Sequence, residues 1–246
     1  MRSATPRRIV LAAALLLALA AGGAGAAWWW SRPPARVAVL VADGTRDLVV
    51  MDFARPFALD PPPPGWWHRR FWFRAPMRMS FVTKGDVPAL RVETNASASM
   101  LFRRVDAPLA DYPTLAWRWL VEQPVDSPRD ERTREGDDHP ARLFVAFRDE
   151  RGDDHRMEII WGNRLRAGEI KVIGTFPHYV ADGGGENIGV WRAASVDLAA
   201  LYRRFWPDAP AAARITEIAL FCDTDDTGTS SIAYFADVVL RRAGPR

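Results

Sequence analysis

Residues 218–240 read IALFCDTDDTGTSSIAYFADVVL. Two apolar segments with imperfect alternation flank a centre of Asp, Thr and Gly. Alternation sends successive side chains to opposite faces of a strand, so both flanks predict strands. The centre, Asp223-Thr-Asp225-Asp226-Thr-Gly228, carries three readings. As a hairpin loop, its aspartates would cap backbone N–H groups. As a metal loop, Asp223, Asp225 and Asp226 would bring some of the about six to eight hard oxygens that calcium takes, and Gly228 would permit the tight turn. EF-hand spacing, with its longer loop and closing Glu, is absent. As a third reading, the carboxylates would line a catalytic cleft.

Working outward, segments of the same kind recur through most of the chain: MRMSFV, ALRVET, ASMLFRRV, LAWRWLV, ARLFVAF, RMEIIW and EIKVI. Most end at Gly, Pro, Asp or Asn. DLAALYRRFW is the one internal segment with helical spacing. Asp197 stands as its N-cap, Leu198, Leu201, Tyr202 and Phe205 form one face, and the helix ends before Pro207. Many short strands without alternating long helices argue against doubly wound and TIM-barrel folds. The pattern predicts an all-β fold: a two-sheet, jelly-roll-like β-sandwich with one short helix.

The N-terminus has a different character. Arg2, Arg7 and Arg8 precede an uncharged run from Ile9 to Trp30 that is 22 residues long. A basic start, an apolar stretch and a small-residue exit at Ala24-Gly25-Ala26 make an export signal. The run is also long enough for a single inner-membrane anchor, with Trp28–Trp30 at the interface. The predicted organisation is therefore residues 1–27 as signal peptide or anchor, 28–46 as linker and first strand, and 47–243 as the sandwich. Either form of the leader implies a periplasmic or otherwise extracytoplasmic domain. Setting the leader aside removes the net charge of +3, leaving 30 basic against 30 acidic residues. A neutral domain speaks against nucleic-acid binding. Cys222 is the only cysteine, so an intrachain disulfide is impossible.

Several residues are candidates for chemistry. Asp137, Asp138 and His139 form a second acidic cluster ahead of ARLFVAF. It would join the Asp223 loop if the two strands were neighbours. Glu158 interrupts the apolar strand RMEIIW, and its plain reading is the solvent face. Trp117 and Trp119 share one strand face and read as core. Trp66, Trp67 and Trp72, beside the DPPPPG spacer, and Trp191 are candidates for an exposed ligand surface, since aromatic rings stack on the apolar faces of sugars. A membrane-contact patch is the alternative use of such rings. No nucleophile elbow, phosphate loop or zinc-type spacing is present.

Taken in order, SASMLFRRV, YPTLAWRW, GDDHPARLFVAF, IGVWRAASVDL and the 218–240 segment resemble a bacterial family of exported proteins, domain of unknown function 3047 (DUF3047). The usual late motif of that family reads Asp-Thr-Asp followed by Asn-Thr-Gly, and here Asp226 takes the Asn position. The family carries no established activity to transfer. The C-terminal part is also similar to galactose-binding-like jelly rolls and carbohydrate-binding modules, which implies a structural calcium site assisted by Asp237. Together these readings predict a non-catalytic domain that binds a glycan or another envelope component. Its ligand residues would be Trp66, Trp67, Trp72, Trp191, Asp137 and Asp138, and a structural calcium would sit on Asp223, Asp225, Asp226 and Asp237. The alternatives are a polysaccharide-acting enzyme of the envelope and a structural protein-interaction domain.

Overall fold

The computed structural model describes residues 37–244. The expected signal or anchor, residues 1–27, lies outside the described residues. Among the described residues, no helix is long and apolar enough to cross a membrane.

Among the described residues, fourteen strands form two sheets. In chain order they are β1 (Val39–Val41), β2 (Leu48–Met51), β3 (Trp66–Arg70), β4 (Arg78–Lys84), β5 (Val87–Asn95), β6 (Ala98–Pro108) and β7 (Thr114–Gln123). They continue with β8 (Arg142–Asp149), β9 (Asp154–Gly162), β10 (Ile170–Ile173), β11 (Phe176–Gly183), β12 (Arg192–Asp197), β13 (Ala213–Asp223) and β14 (Ser230–Arg241). The larger sheet runs β1-β6-β13-β8-β9-β11-β10, with β3 also on β6. The smaller runs β12-β7-β14-β5-β4, with β2 on β14. Most pairs are antiparallel, and β1–β6 and β9–β11 are parallel. This is the two-sheet sandwich that the strand pattern predicts.

The core lies between the sheets. Leu101, Val145, Ile159 and Leu220 from the larger sheet meet Leu90, Leu115, Trp119 and Phe235 from the smaller, all fully buried. Trp117 and Trp119 belong to this core, with rings 5.0 Å apart and edge to face. The one α-helix among the described residues, α1 (Leu198–Phe205), starts where its cap predicts: the Ala200 N–H donates to Asp197 Oδ1 at 2.8 Å. It closes one end of the sandwich with Leu198, Leu201 and Tyr202.

The decisive stretch departs from the hairpin reading. β13 and β14 do not pair; they lie in different sheets. The Asp223–Gly228 segment therefore crosses from one sheet to the other at the sandwich end. Its bonds explain why it leaves the ladder: Thr224 N–H donates to Ser97 O, and Thr229 N–H turns back to Thr224 O. β13 also holds a bulge between Ile215 and Glu217. The inserted residue lets Ile215 and Ile218 both face the core, and it brings Glu217 into register with Ala219 and Phe221 on the outer face. That shift is the reason RITEIALF alternates imperfectly.

Candidate functional site

Strand register builds a continuous row across the outer face of the larger sheet. Trp67 lies opposite Phe102, Phe102 opposite Ala219, and Ala219 opposite Phe144. Phe144 then lies opposite Glu158, Glu158 opposite His178, and His178 opposite Lys171. One end of the row is aromatic and the other charged. The neighbouring row runs Arg69, Met100, Phe221, Arg142, Ile160 and Val180.

At the aromatic end, Phe102, Phe144 and Phe221 form a floor, with half-buried Trp67, Phe71 and Phe176 packed over it. Trp67 stacks on Phe102 at 5.2 Å, Phe176 stacks on Phe144 at 6.0 Å, and Phe71 meets Phe221 edge-on at 6.0 Å. Beside this platform lies a groove of about 470 Å³ lined by Val39, Arg104, Arg156, Thr216 and Glu217 among others. Burial pushes the Glu217 carboxyl up, against the pull of Arg104, Arg156 and Arg69.

At the charged end, Arg142 is 1% exposed and serves three carboxylates. Its guanidinium donates to Glu158 Oε2 at 2.6 Å, meets Asp223 Oδ1 at 2.8 Å, and lies 3.6 Å from Asp137 Oδ1. Lys171 Nζ donates to Asp137 Oδ1 at 2.5 Å and to His139 Nε2 at 2.7 Å. His178 Nε2 lies 3.4 Å from Glu158. Burial alone would push the Glu158 carboxyl up, but Arg142 and His178 outweigh it and bring it down to about 2. Burial likewise opposes ionised Asp137, and Arg142, His139, His178 and Lys171 hold it well below the usual carboxylate range. Asp223 goes the other way: burial and the nearby Asp138 and Asp137 charges push it well up despite Arg142. One guanidinium shared by three acids thus favours the charge on Glu158 and Asp137 more than on Asp223. His139 is neutral, held down to about 3 by burial and by the Lys171 and Arg142 charges. Its Nε2 accepts from Lys171, so Nδ1 carries the proton and donates to Trp161 O at 2.9 Å.

The two acidic loops do converge, because β8 pairs with β13. Asp138, Asp223 and Asp225 each offer a carboxylate oxygen within 4.8 Å of the others. This cluster can hold a divalent cation such as calcium. Its oxygens also have protein partners. Asp138 Oδ2 accepts from the Thr227 N–H and hydroxyl, each at 2.6 Å, Asp223 Oδ1 accepts from the His139 N–H at 3.0 Å, and Asp225 pairs with Arg74. Burial and the neighbouring Asp225 and Asp138 push the Asp226 carboxyl up.

Residues 64–239 match DUF3047, described as a protein of unknown function. The chain belongs to the DUF3047 family. No curated protein matches it. Among solved structures, the DUF3047 chain is similar to a family 30 carbohydrate-binding module of the Clostridium thermocellum cellulosomal cellulase Cel9D-Cel44B, at 10% identity and a TM-score of 0.44, covering 78% of this chain and 95% of that one. It is also similar to the xyloglucanase domain of NopAA from Sinorhizobium fredii, solved with cellobiose, at 11% identity and a TM-score of 0.39, covering 76% and 96%. A third is tailspike protein 4 of bacteriophage CBA120, at 10% identity and a TM-score of 0.40; the match covers 73% of this chain and only 19% of the tailspike chain.

The remaining candidate residues of the DUF3047 domain are dispersed. Trp66 faces inward, 9% exposed against Phe57 at 4.7 Å, because alternation along β3 sends Trp66 in and Trp67 out. Trp72 is exposed on the β3–β4 connection. Trp191 lies on the outer face of the smaller sheet against Tyr234, and its indole N–H donates to Lys84 O at 2.9 Å. Asp237 has φ of 52° in β14 and pairs with Arg118 on that same face, which separates it from the Asp138–Asp223–Asp225 cluster. Glu158 does leave the core face, as alternation implies, but it is 6% exposed rather than solvated. Arg142, Lys171 and His178 were not singled out by sequence. The available signal was a charged residue at the outward position of each adjacent strand.

Proposed function

We propose that this exported domain binds a glycan or another envelope component on the outer face of its larger sheet, without altering it chemically. The observation that carries this reading is the half-buried Trp67, Phe71 and Phe176 platform lying beside the Arg104–Glu217 groove. Sugar recognition needs an aromatic surface for the apolar ring face and charged or polar groups for the hydroxyls, and both stand side by side here. Glu158, the central carboxylate of the face, is held in its ion pair with Arg142, which favours binding over proton transfer. The basic leader and its uncharged run support a location outside the cytoplasm. A calcium ion on Asp138, Asp223 and Asp225 would tie the crossing loop to the segment before β8.

The test is affinity electrophoresis of the full chain in gels containing bacterial envelope polysaccharides. Wild type should be retarded by at least one polymer, and Trp67→Ala and Arg104→Ala should lose that retardation while keeping the far-ultraviolet circular dichroism of the fold. No retardation by any polymer, or retardation untouched in both variants, would overturn the reading. Calcium support is tested separately by thermal melting: added calcium should raise Tm, since a ligand of the folded state stabilises it, and Asp225→Ala should abolish the rise.

A second reading rests on Glu217. A carboxyl pushed up by burial inside a groove is what a general acid requires, and it supports an enzyme acting on the same polymer. Release of reducing ends from a retarding polysaccharide, lost in Glu217→Gln with retardation retained, would replace the binding module by the enzyme.

A further inference from the structure

Trp72 and Phe73 are the only aromatic side chains among the described residues that are mostly exposed, at 50% and 88%. Their rings lie together, 5.2 Å apart, on the β3–β4 connection. Phe73 has φ of 60°, a left-handed conformation that strains any residue with a Cβ. The chain therefore carries backbone strain and solvent exposure at one phenylalanine, where glycine would relieve both. The tip is anchored from behind: the Arg74 N–H donates to Phe71 O at 3.3 Å, Arg74 pairs with Asp225, and Ala75 bridges to Ser97.

The segment that carries the tip is basic. Residues 61–85 hold Arg69, Arg70, Arg74, Arg78 and Lys84 and no acidic residue. Arg70, Arg74 and Lys84 are paired with Asp60, Asp225 and Glu122, whereas Arg69 and Arg78 make no ion pair among the described residues. Two aromatic rings projecting from a turn, with arginines behind them, do not form the flat or concave platform on which a sugar lies. They match the interfacial layer of a bilayer, where Trp and Phe settle at headgroup depth and Arg meets anionic headgroups.

We propose that the β3–β4 connection is a membrane-contact tip, with Trp72 and Phe73 entering the interfacial layer of an anionic bilayer. This contact would orient the domain on the surface, independently of what its larger sheet binds.

The experiment uses the full chain with Phe73→Cys carrying a nitroxide. Cys222 is 1% exposed, so position 73 is the accessible thiol. A matched label at Val190→Cys, an exposed position elsewhere, serves as the control. On vesicles of equal parts phosphatidylglycerol and phosphatidylcholine, the label at 73 should gain collisions with oxygen and lose them with a water-soluble relaxant. The ratio should rise several-fold, while the label at 190 stays in water. Adding Trp72→Ser should return the label at 73 toward water, because burial of a large side chain is worth about tenfold or more in partitioning. The proposal is overturned if the label at 73 stays in water on these vesicles, or if an envelope polysaccharide shields it and lipid does not.

Discussion

The two outer faces of the sandwich begin from the same local pattern and end in opposite electrostatic states. Glu158 interrupts RMEIIW on the larger sheet, and Arg118 interrupts LAWRWLV on the smaller. Each points outward between inward-facing apolar neighbours, Met157 and Ile159 in one case and Trp117 and Trp119 in the other. Arg118 and Asp237 keep 38% and 53% side-chain exposure, a water-bathed pair. Glu158 and Arg142 keep 8% and 2%. The difference comes from cover. Residues 126–139 fold over the charged end of the larger sheet, where Lys171 donates to Glu131 O at 2.5 Å and Arg142 donates to Asp137 O. A charge pattern within a strand thus specifies the face, and the neighbouring loop decides whether that face is wet.

The sharpest way to break this comparison is Arg142→Ala, which strands three carboxylates out of water. Losing one partner of a buried ion pair costs about 3–5 kcal/mol, and urea melts should show at least that loss. A loss under about 1 kcal/mol would place the cluster in water like its counterpart on the smaller sheet.

Next in size is the acid response. His139 is held to about 3 and His68, on the inner face, to about 4, both chiefly by burial, against an ordinary 6.5. The unfolded chain takes up protons near pH 6.5 that the folded chain refuses. Stability should therefore fall as pH drops from about 6.5, with the His68 contribution complete near 4 and that of His139 near 3. Glu158, held to about 2, adds a further loss as pH falls from its ordinary 4.5. Each pH unit is worth about 1.4 kcal/mol per group, so the total is several kcal/mol. Urea melts between pH 3 and 7 check this, and a flat profile would contradict buried neutral histidines.

A smaller effect separates the acids within the cluster. Burial pushes the Asp223 carboxyl up whereas Asp137 is held down, so Asp223→Asn should be the milder change at neutral pH. Asp137→Asn, which removes the charge facing Lys171 and Arg142, should cost more. Equal losses would contradict that difference between the two acids. Smallest of all is Arg118→Ala on the other face. Exposed pairs are worth about 0–1 kcal/mol, and the pH profile should be unchanged.

Much of the architecture was legible in sequence. Short alternating segments bounded by turn residues predicted the strands, and Asp197 and Pro207 bounded the one helix. The site was less legible. Trp66, Trp67, Trp72 and Trp191 were each candidates for an exposed ligand surface, yet they occupy the core, the larger outer face, a loop tip and the smaller outer face. Alternation separates Trp66 from Trp67, and the remaining separation depends on which strands pair. The Asp137–Asp138 loop and the Asp223 loop met only because β8 lies beside β13.

The sequence by itself determined which side chains share a strand face, because that follows from the two-residue period of a strand. It also determined where the helix starts, because a cap acts over three residues. Only the tertiary structure decided that the Asp223–Gly228 segment crosses between sheets instead of closing a hairpin, and that Arg142 collects Glu158, Asp137 and Asp223. Those outcomes depend on contacts between residues as far apart in sequence as Thr224 and Ser97, whose pairing no local periodicity encodes.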